Sequence, residues 1–255
     1  MNETIKLLGE RMSLRRYSPE SIEPEHLETI MHNTMRAPTA GNMMLYSIIQ
    51  IDDRVKKDEL ARTCGHPFIA KAPLVLLFLA DMQRWYDYYE ASDVPRICEE
   101  HGLEFQTPKA SNLMMSCCDA LIAAQTSVIA AESLGIGSCY IGDIMGHCED
   151  HRKLFRLPKW TFPITLVCDG YYPDDRERQL YTRFDRQFIC VKDTYKHLTG
   201  QESKEMLAQV ETKFSHILAR DNLSLAELTY THFTLGKSAL EELRSVAILL
   251  EDWIS

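Results

Sequence analysis

Three arginines and a serine lie within six residues near the amino terminus, in the stretch Arg11-Met12-Ser13-Leu14-Arg15-Arg16-Tyr17. This basic cluster belongs to a chain whose net charge is -9. Guanidinium groups bind phosphate through a planar fork of donors, and a serine hydroxyl adds one more hydrogen bond. A phosphorylated ligand is therefore the first candidate for the cluster. The alternative is a solvated basic surface that pairs with the exposed carbonyls of a helix end.

A second segment, Ala37-Pro38-Thr39-Ala40-Gly41-Asn42, consists of small residues and precedes a predicted strand at 47–51. Small side chains allow a flat ligand to approach the backbone closely. The same residue types are also typical of an ordinary turn. The residues alone leave both interpretations open.

His147, Cys148 and His151, with Cys139 upstream, are the residues whose types and spacing could bind a metal. Structural zinc sites usually contain cysteines in C-x-x-C pairs, and that spacing is absent from the chain. We therefore predict no metal site and assign these residues to the start of a helix. The eight cysteines do not form the framework of a secreted disulfide protein, so we predict reduced thiols in the core.

The elements that position these residues alternate between helices and strands, which predicts an α+β fold of the α/β type. Residues 74–79 are apolar throughout, as in a central strand covered on both faces. Residues 111–134 predict the longest helix, and this helix has almost no polar face, so we expect burial on nearly all sides, with a subunit interface as one way to complete it. Further strands are predicted at 138–142, 164–168 and 188–191.

Composition divides the chain and excludes some partners. We predict one domain over residues 1–196, with an inserted helical lid at 82–109, and a helical C-terminal extension over residues 197–255.

The negative net charge repels nucleic acid and anionic membranes. The longest apolar run, 72–80, is too short to span a bilayer, and the first residues lack the pattern of a signal peptide. We therefore predict a cytoplasmic protein without nucleic-acid or membrane partners.

Five motifs in order resemble the FMN-dependent nitroreductase family over roughly residues 3–195, in particular its larger oxygen-insensitive branch with a helical C-terminal extension. They are the arginine cluster 11–17, the small-residue segment 37–42, the segment 130–137 (AAESLGIG), Tyr140-Ile141-Gly142, and Asp169-Gly170-Tyr171 followed by Arg183. The resemblance implies a mixed central sheet flanked by helices, and a homodimer with FMN at the dimer interface.

The resemblance also implies where each part of FMN binds. The phosphate would be held by the amino-terminal cluster and Arg183, and the ring by the remaining motifs. In order along the chain, the implied cofactor-binding residues are Arg11, Met12, Ser13, Arg15, Pro38, Thr39, Ala40, Asn42, His66, Tyr140, Ile141, Gly142, Asp143 and Arg183. Arg15 would lie at the pyrimidine edge, and backbone amides around Gly142 would face flavin N5 and O4. No side chain is required as nucleophile or essential base, so no catalytic residue is named.

The implied activity is hydride transfer from NADH or NADPH, through flavin N5, to a small-molecule acceptor such as a nitroaromatic, a quinone or free flavin. Reduced flavin carries negative charge at N1 and O2, which the permanent cation of Arg15 would stabilise. Two alternatives remain open. One is a reductase of one specific metabolite, with the 82–109 insertion narrowing the pocket. The other is a flavin-binding dimeric protein without turnover, favoured by Met12, Asp143 and Tyr181, which stand where the family frequently has other residues.

Overall fold

A four-stranded sheet with the order β1-β2-β4-β3 forms the centre of the protein. The structure is a computed structural model that describes residues 2–175, 180–211, 214, 218–219 and 222–254. The strands are β1 (Tyr46–Gln50), β2 (Leu74–Asp81), β3 (Ile136–Ile141) and β4 (Thr161–Tyr171). All three neighbouring pairs are antiparallel, and an isolated bridge between Ser13 and Ser138 adds a parallel component. The α+β fold class is confirmed.

The apolar run at 74–79 is the central strand that the sequence predicts. All eight residues of β2 are buried, because the sheet is covered on both faces. One face, which carries Val75 and Leu77, packs with Leu60 and Ile69. The other face packs on helix α6 (Ala110–Ser133), and its members are Leu74, Leu76 and Phe78 with Ala120, Ala123 and Ala124.

Helices cover the two faces of the sheet, and their starts follow local signals. The helices are α1 (Glu3–Glu10), α2 (Pro24–Thr34), α3 (Arg54–Thr63), α4 (Gln83–Ala91), α5 (Val94–Glu100), α6 (Ala110–Ser133) and α7 (Cys148–Phe155). Asn2 caps α1 by accepting a hydrogen bond from the Ile5 amide at 3.0 Å, and Pro24 occupies the first turn of α2. Helices α4 and α5 lie within the predicted insertion 82–109, residues 101–109 form no helix, and the role of the insertion as a lid stays a prediction.

The long helix α6 is buried on one side only. Alanines and Val128 face the sheet, but one sheet covers only one side of a helix. The opposite side exposes large apolar side chains, namely Met114, Met115, Leu121 and Ile122. The expectation of burial on nearly all sides is therefore not met within one chain. By length and composition alone α6 could also cross a membrane, a property that core helices share.

Two compact units make up the chain. The first contains Met1–Glu177 together with Glu241–Ser255, and the second contains Arg178–Leu240. This division differs from the predicted boundary after residue 196, because the end of the C-terminal helix (Lys237–Ile254) is packed into the first unit. There Trp253 is fully buried with its ring 5.5 Å from that of Trp160, and Arg244 donates to Glu149 at 2.7 and 2.8 Å.

The described part of the second unit is helical, with α8 (Arg186–Ile189), α9 (Gly200–Glu211), a helix at Leu225–Tyr230 and a π-helical turn at Thr231–Leu235. The strand predicted at 188–191 is wrong, since α8 includes its first two residues and the other two are in no strand. The continuous apolar run fits a strand equally well, but a strand also needs a neighbour to pair with, and no ladder between described strands includes this segment.

Candidate functional site

The segment from Arg11 to Arg15 runs along the outer edge of β3. The Leu14 amide donates to the Ser138 carbonyl at 2.8 Å. Met12 and Leu14 are buried, whereas Arg15 is exposed and Arg11 and Ser13 are half-buried. The segment therefore turns alternate side chains to the core and leaves the arginines and the serine at the surface. The Met12 side chain is part of the core, so only its backbone remains for the predicted cofactor contact.

Gly137 on β3 allows this close approach. A Cβ at this position would lie 2.7 Å from Leu14 Cδ2 and 2.7 Å from Tyr172 Cζ. Both distances are shorter than ordinary van der Waals contact, so a larger residue would force the Leu14 and Tyr172 side chains to move. The glycine of the predicted 130–137 motif is thus explained by packing.

Arg11, Ser13 and Arg15 all act on Cys139 of β3. Burial raises the pKa of the Cys139 thiol, and the nearby Arg15, Ser13 and Arg11 lower it in part. Burial also raises the pKa of Tyr140, and the charge of Arg11 opposes that shift. The three side chains are therefore neighbours of one residue of β3, and their common part in a phosphate site stays a prediction.

Arg11 carries an unused donor in that region. Its Nε is buried and has no hydrogen-bond partner in the part of the chain that the structure describes. A buried polar group without a partner costs free energy, and a charged one costs more. An anionic oxygen would accept this hydrogen bond, so the residues present fit a phosphate group.

Asp119 on α6 fixes the segment 37–45. Its carboxylate accepts hydrogen bonds from the Ala40 amide at 3.0 Å and from the Leu45 amide at 3.1 Å, and it also accepts one from the Thr39 hydroxyl. The Thr39 oxygen in turn accepts from the Met44 amide at 2.9 Å. The Thr39 hydroxyl is therefore used to shape the loop. Asp119 was not among the predicted site residues, although one of two acids in an almost apolar helix was a signal for such a role.

The same loop has an unusual backbone and an open side. Gly41 and Asn42 have φ values of 56° and 58°, in the left-handed region that glycine and asparagine adopt at least cost. Pro38 and Asn42 are exposed and Ala40 is half-buried, so this side of the loop is accessible to a ligand.

His66 and Asp143 are hydrogen-bonded to each other. His66 Nε2 lies 3.1 Å from Asp143 Oδ2, and the two side chains are 39% and 30% exposed. His66 precedes a 3-10 turn at Ile69–Lys71, and Asp143 begins another at Asp143–Met145, directly after β3. The structure thus joins, within one chain, His66, which the resemblance places where a residue of the partner subunit often approaches the ring, and Asp143, whose backbone amide it places near flavin N5 and O4. No pattern in the sequence indicates this contact.

A cavity of about 530 Å³ opens beside the arginine segment. Its lining combines cations, Arg15 and Lys71, with two aromatic rings, Tyr17 and Phe68. The Phe68 ring also contacts the His66 ring, with centroids 5.3 Å apart. A cavity for an anionic ligand therefore lies beside Arg15, and its lining does not include Arg11, Ser13 or the loop 37–42.

The remaining predicted residues lie at the end of β3 or in the second unit. Ile141 is buried, Gly142 is exposed, and the half-buried Tyr140 donates through its hydroxyl to Gln125 Oε1 at 3.3 Å. Arg183 is exposed and belongs to the second compact unit. Its part in phosphate binding stays a prediction, as does the assignment of the whole residue set to one cofactor.

The histidines and cysteines near residue 148 have structural roles. His151 is fully buried and bonds the Ile144 carbonyl and the Thr63 hydroxyl, each at 2.9 Å, so both ring nitrogens are used. Within the described ranges, no group of three or more His, Cys, Asp or Glu side chains could hold a metal ion. All eight cysteines are free; Cys118 and Cys190 are exposed and so depart from the predicted burial.

The chain is similar to several known proteins. The sequence pattern of the nitroreductase family matches residues 8–171. The NAD(P)H-dependent FMN reductase of Bacillus subtilis (strain 168) is 32% identical over 196 residues, which is 76% of this chain and 75% of that one. The NADPH-dependent FMN reductase of the same strain is 31% identical over 196 residues, with the same coverage of 76% and 75%. The solved structure of the NfrA1 nitroreductase from B. subtilis has a TM-score of 0.77 and 25% identity, covering 97% of this chain and 98% of that one.

Proposed function

The chain belongs to the nitroreductase family, and we propose that it is an FMN-dependent oxidoreductase that moves hydride from NADH or NADPH to small-molecule acceptors. The acceptor classes are nitroaromatics, quinones and free flavin. The observation that carries the proposal is the buried, unpaired Nε of Arg11 beside Ser13, within a chain whose relatives are named FMN reductases.

Residues of this chain would hold the cofactor at three places. Arg11 and Ser13 would bind the phosphate, with Arg183 as a further cation. The loop that Asp119 fixes would lie along the ring, because its Pro38 and Asn42 are open to a ligand. Bound FMN supplies two-electron hydride chemistry, which no protein side chain offers. Arg15 would add a permanent positive charge where the reduced ring is electron-rich.

A homodimer is part of the proposal. The exposed side of α6 carries Met114, Leu121 and Ile122, which are 66%, 43% and 40% exposed. Helix α1 contacts α6 and adds Ile5 and Leu8, each at least half exposed. A contiguous apolar surface of this kind marks an interaction site, and a second copy of the chain would bury it. We place the dimer in the cytoplasm.

The visible spectrum of the purified protein tests the proposal. We expect the absorption of bound flavin, and its bleaching after anaerobic addition of NADH or NADPH. A colourless protein that takes up no added FMN would overturn the proposal. Bound FMN that neither nucleotide reduces would support the alternative of a flavin-binding dimer without turnover.

A reductase of one specific metabolite is the second candidate. Trp85 on α4 donates through Nε1 to the Met43 carbonyl at 2.9 Å, so the aromatic insertion is tied to the loop that Asp119 fixes. The Trp85 ring also contacts Tyr88 and Tyr89 at 5.9 and 5.8 Å. Such a wall would narrow the pocket for one flat acceptor. In a panel of acceptors that reoxidise the reduced protein, one rate orders of magnitude above the rest would favour this candidate.

A further inference from the structure

The His66–Asp143 pair has the geometry of an oriented proton donor. The carboxylate holds the imidazole through Nε2 at 3.1 Å, as an acid orients a catalytic histidine in other enzymes. We propose that His66, oriented by Asp143, donates the proton that the acceptor needs when it takes up hydride; the assignment rests on the proposed function. His66 is then a catalytic residue and Asp143 a positioning residue.

The second ring nitrogen of His66 is available for this task. When the imidazole is charged, its Nε2–H donates to Asp143. Nδ1 makes no hydrogen bond within the ranges that the structure describes, so its N–H is left for a ligand. The side chain is 39% exposed, and solvent can therefore return a proton to it.

Other histidines near the sheet lack this combination. Both ring nitrogens of His151 are used and the residue is fully buried. His26 Nδ1 lies 2.7 Å from the Tyr171 hydroxyl, away from the predicted ring residues in the chain. His147 lies 3.9 Å from Asp150, on α7. Only His66 among these four joins an acid partner at hydrogen-bond distance with an accessible free nitrogen.

The charged and titratable groups around the pair come from several elements. Asp143 is the nearest acid, and Glu242 of the C-terminal helix acts on the same region. Burial, with a contribution from both carboxylates, raises the pKa of Cys64 to about 12. Cys64 is therefore a neutral thiol near pH 7, and it does not compete with His66 as a charged group.

The chemical step balances for a quinone acceptor. The quinone gains two electrons and one hydrogen nucleus as hydride, which the reduced cofactor loses. The Nδ1–H bond of the imidazolium breaks and an O–H bond forms on a quinone oxygen, so the product is the hydroquinone. The neutral imidazole that remains takes a proton from water.

Rapid mixing of the FMN-loaded protein separates the two half-reactions. For each variant, the rate constant of reoxidation by 1,4-benzoquinone is divided by the rate constant of reduction by NADPH. His66→Gln keeps a hydrogen-bonding amide but cannot donate a proton as an imidazolium, so we expect this ratio to fall roughly 100-fold, the lower range of general acid catalysis. The solvent deuterium isotope effect on reoxidation should also change, because the imidazolium no longer supplies a proton, while the exchangeable hydrogen at flavin N5 still contributes. His147→Gln, a histidine of similar exposure, should change neither.

Asp143→Asn provides a readout that does not depend on turnover. In FMN-loaded protein with ¹⁵N-labelled histidine, the imidazole resonances of His66 should move, while those of His147 stay in place. The ratio of rate constants should fall less than in His66→Gln.

An unchanged ratio and isotope effect in His66→Gln would overturn the proton-donor assignment while the proposed function stands. A wild-type protein that binds no FMN, or is reduced by neither nucleotide, would overturn both.

Discussion

Asp119 accepts a hydrogen bond from Thr39, a residue 80 positions earlier in the chain, and so joins the long core helix to the loop proposed to lie along the flavin ring. The same carboxylate also accepts hydrogen bonds from the Ala40 and Leu45 amides. One buried acid therefore sets the shape of the loop from within the core, and the shape of the ligand site depends on the packing of α6.

Removal of this acid should destabilise the protein. Asp119→Ala leaves three buried or half-buried donors without their acceptor, and we expect the free energy of unfolding to fall by roughly 3 to 5 kcal/mol. Urea denaturation measures the change. Asp58→Ala is the control, because Asp58 is exposed and pairs only with Arg54 at the surface; it should cost less than about 1 kcal/mol. Equal losses in the two variants would contradict the anchoring role.

The stability of the protein should depend on pH through Asp169. This residue is 2% exposed, and burial raises the pKa of its carboxyl from 3.8 to about 8. The folded protein keeps the proton over a range in which the unfolded chain has lost it. Its favourable contribution is complete below pH 3.8 and is lost as the pH rises toward 8, at up to about 1.4 kcal/mol per pH unit.

Asp169→Asn removes this titration and keeps the shape of the side chain. The unfolding free energy of the variant minus that of the wild type should therefore increase steadily between about pH 5 and pH 8. Urea denaturation across this range measures the difference. Parallel pH profiles of the two proteins would show that Asp169 does not hold a proton in the folded state.

Arg11 should dominate binding of the FMN phosphate. Arg11→Ala removes a charged donor, and we expect the dissociation constant of FMN to rise roughly 10- to 100-fold, the value of one such hydrogen bond. Flavin fluorescence during titration of the apoprotein measures it. Arg16→Ala is the matched control, because Arg16 is exposed and its guanidinium binds Asp175 at 2.8 and 3.1 Å. If Arg11→Ala and Arg16→Ala had equal effects, the arginine cluster would act only as a general surface charge and not as a specific phosphate site.

The exposed side of α6 should hold two chains together. Leu121→Glu places a charge in the apolar surface, and we expect the dimer to dissociate and lose FMN with it, because the proposed site lies at the interface. Sedimentation measures the mass of the protein in solution, and absorbance measures the bound flavin. Leu103→Glu, at a residue 64% exposed outside α6, should leave both unchanged. A dimer that survives the Leu121 change would place the interface elsewhere.

Local signals were sufficient to predict much of the fold. The uninterrupted apolar run of β2 indicates a buried strand through nearby residues, and this prediction is confirmed. Asn2 and Pro24 likewise begin their helices through local signals. The segment at 188–191 was predicted wrongly because a short apolar run does not indicate whether a partner strand is near. The burial of the exposed side of α6 likewise depends on what packs against it, and the described part of one chain does not contain that partner.

The candidate site was predictable where it rests on consecutive residues. Arg11, Ser13 and Arg15 lie together because they follow one another along β3. Contacts between distant segments, such as His66 with Asp143, depend on how the elements pack and leave no periodic pattern in the sequence. Met12 shows the limit of transfer by position, since its side chain turns into the core.

The bridge between Ser13 and Ser138 has a consequence for solubility. β3 is the last strand of the sheet, and an uncovered last strand offers free backbone groups to other chains, a common route to aggregation. The amino-terminal segment occupies this position through the Leu14 amide. A chain that lacks residues 1–14 would lose Arg11, which is proposed to bind the phosphate, and would also expose the backbone groups at the edge of β3. We therefore expect this truncation to yield insoluble protein and not merely an inactive one.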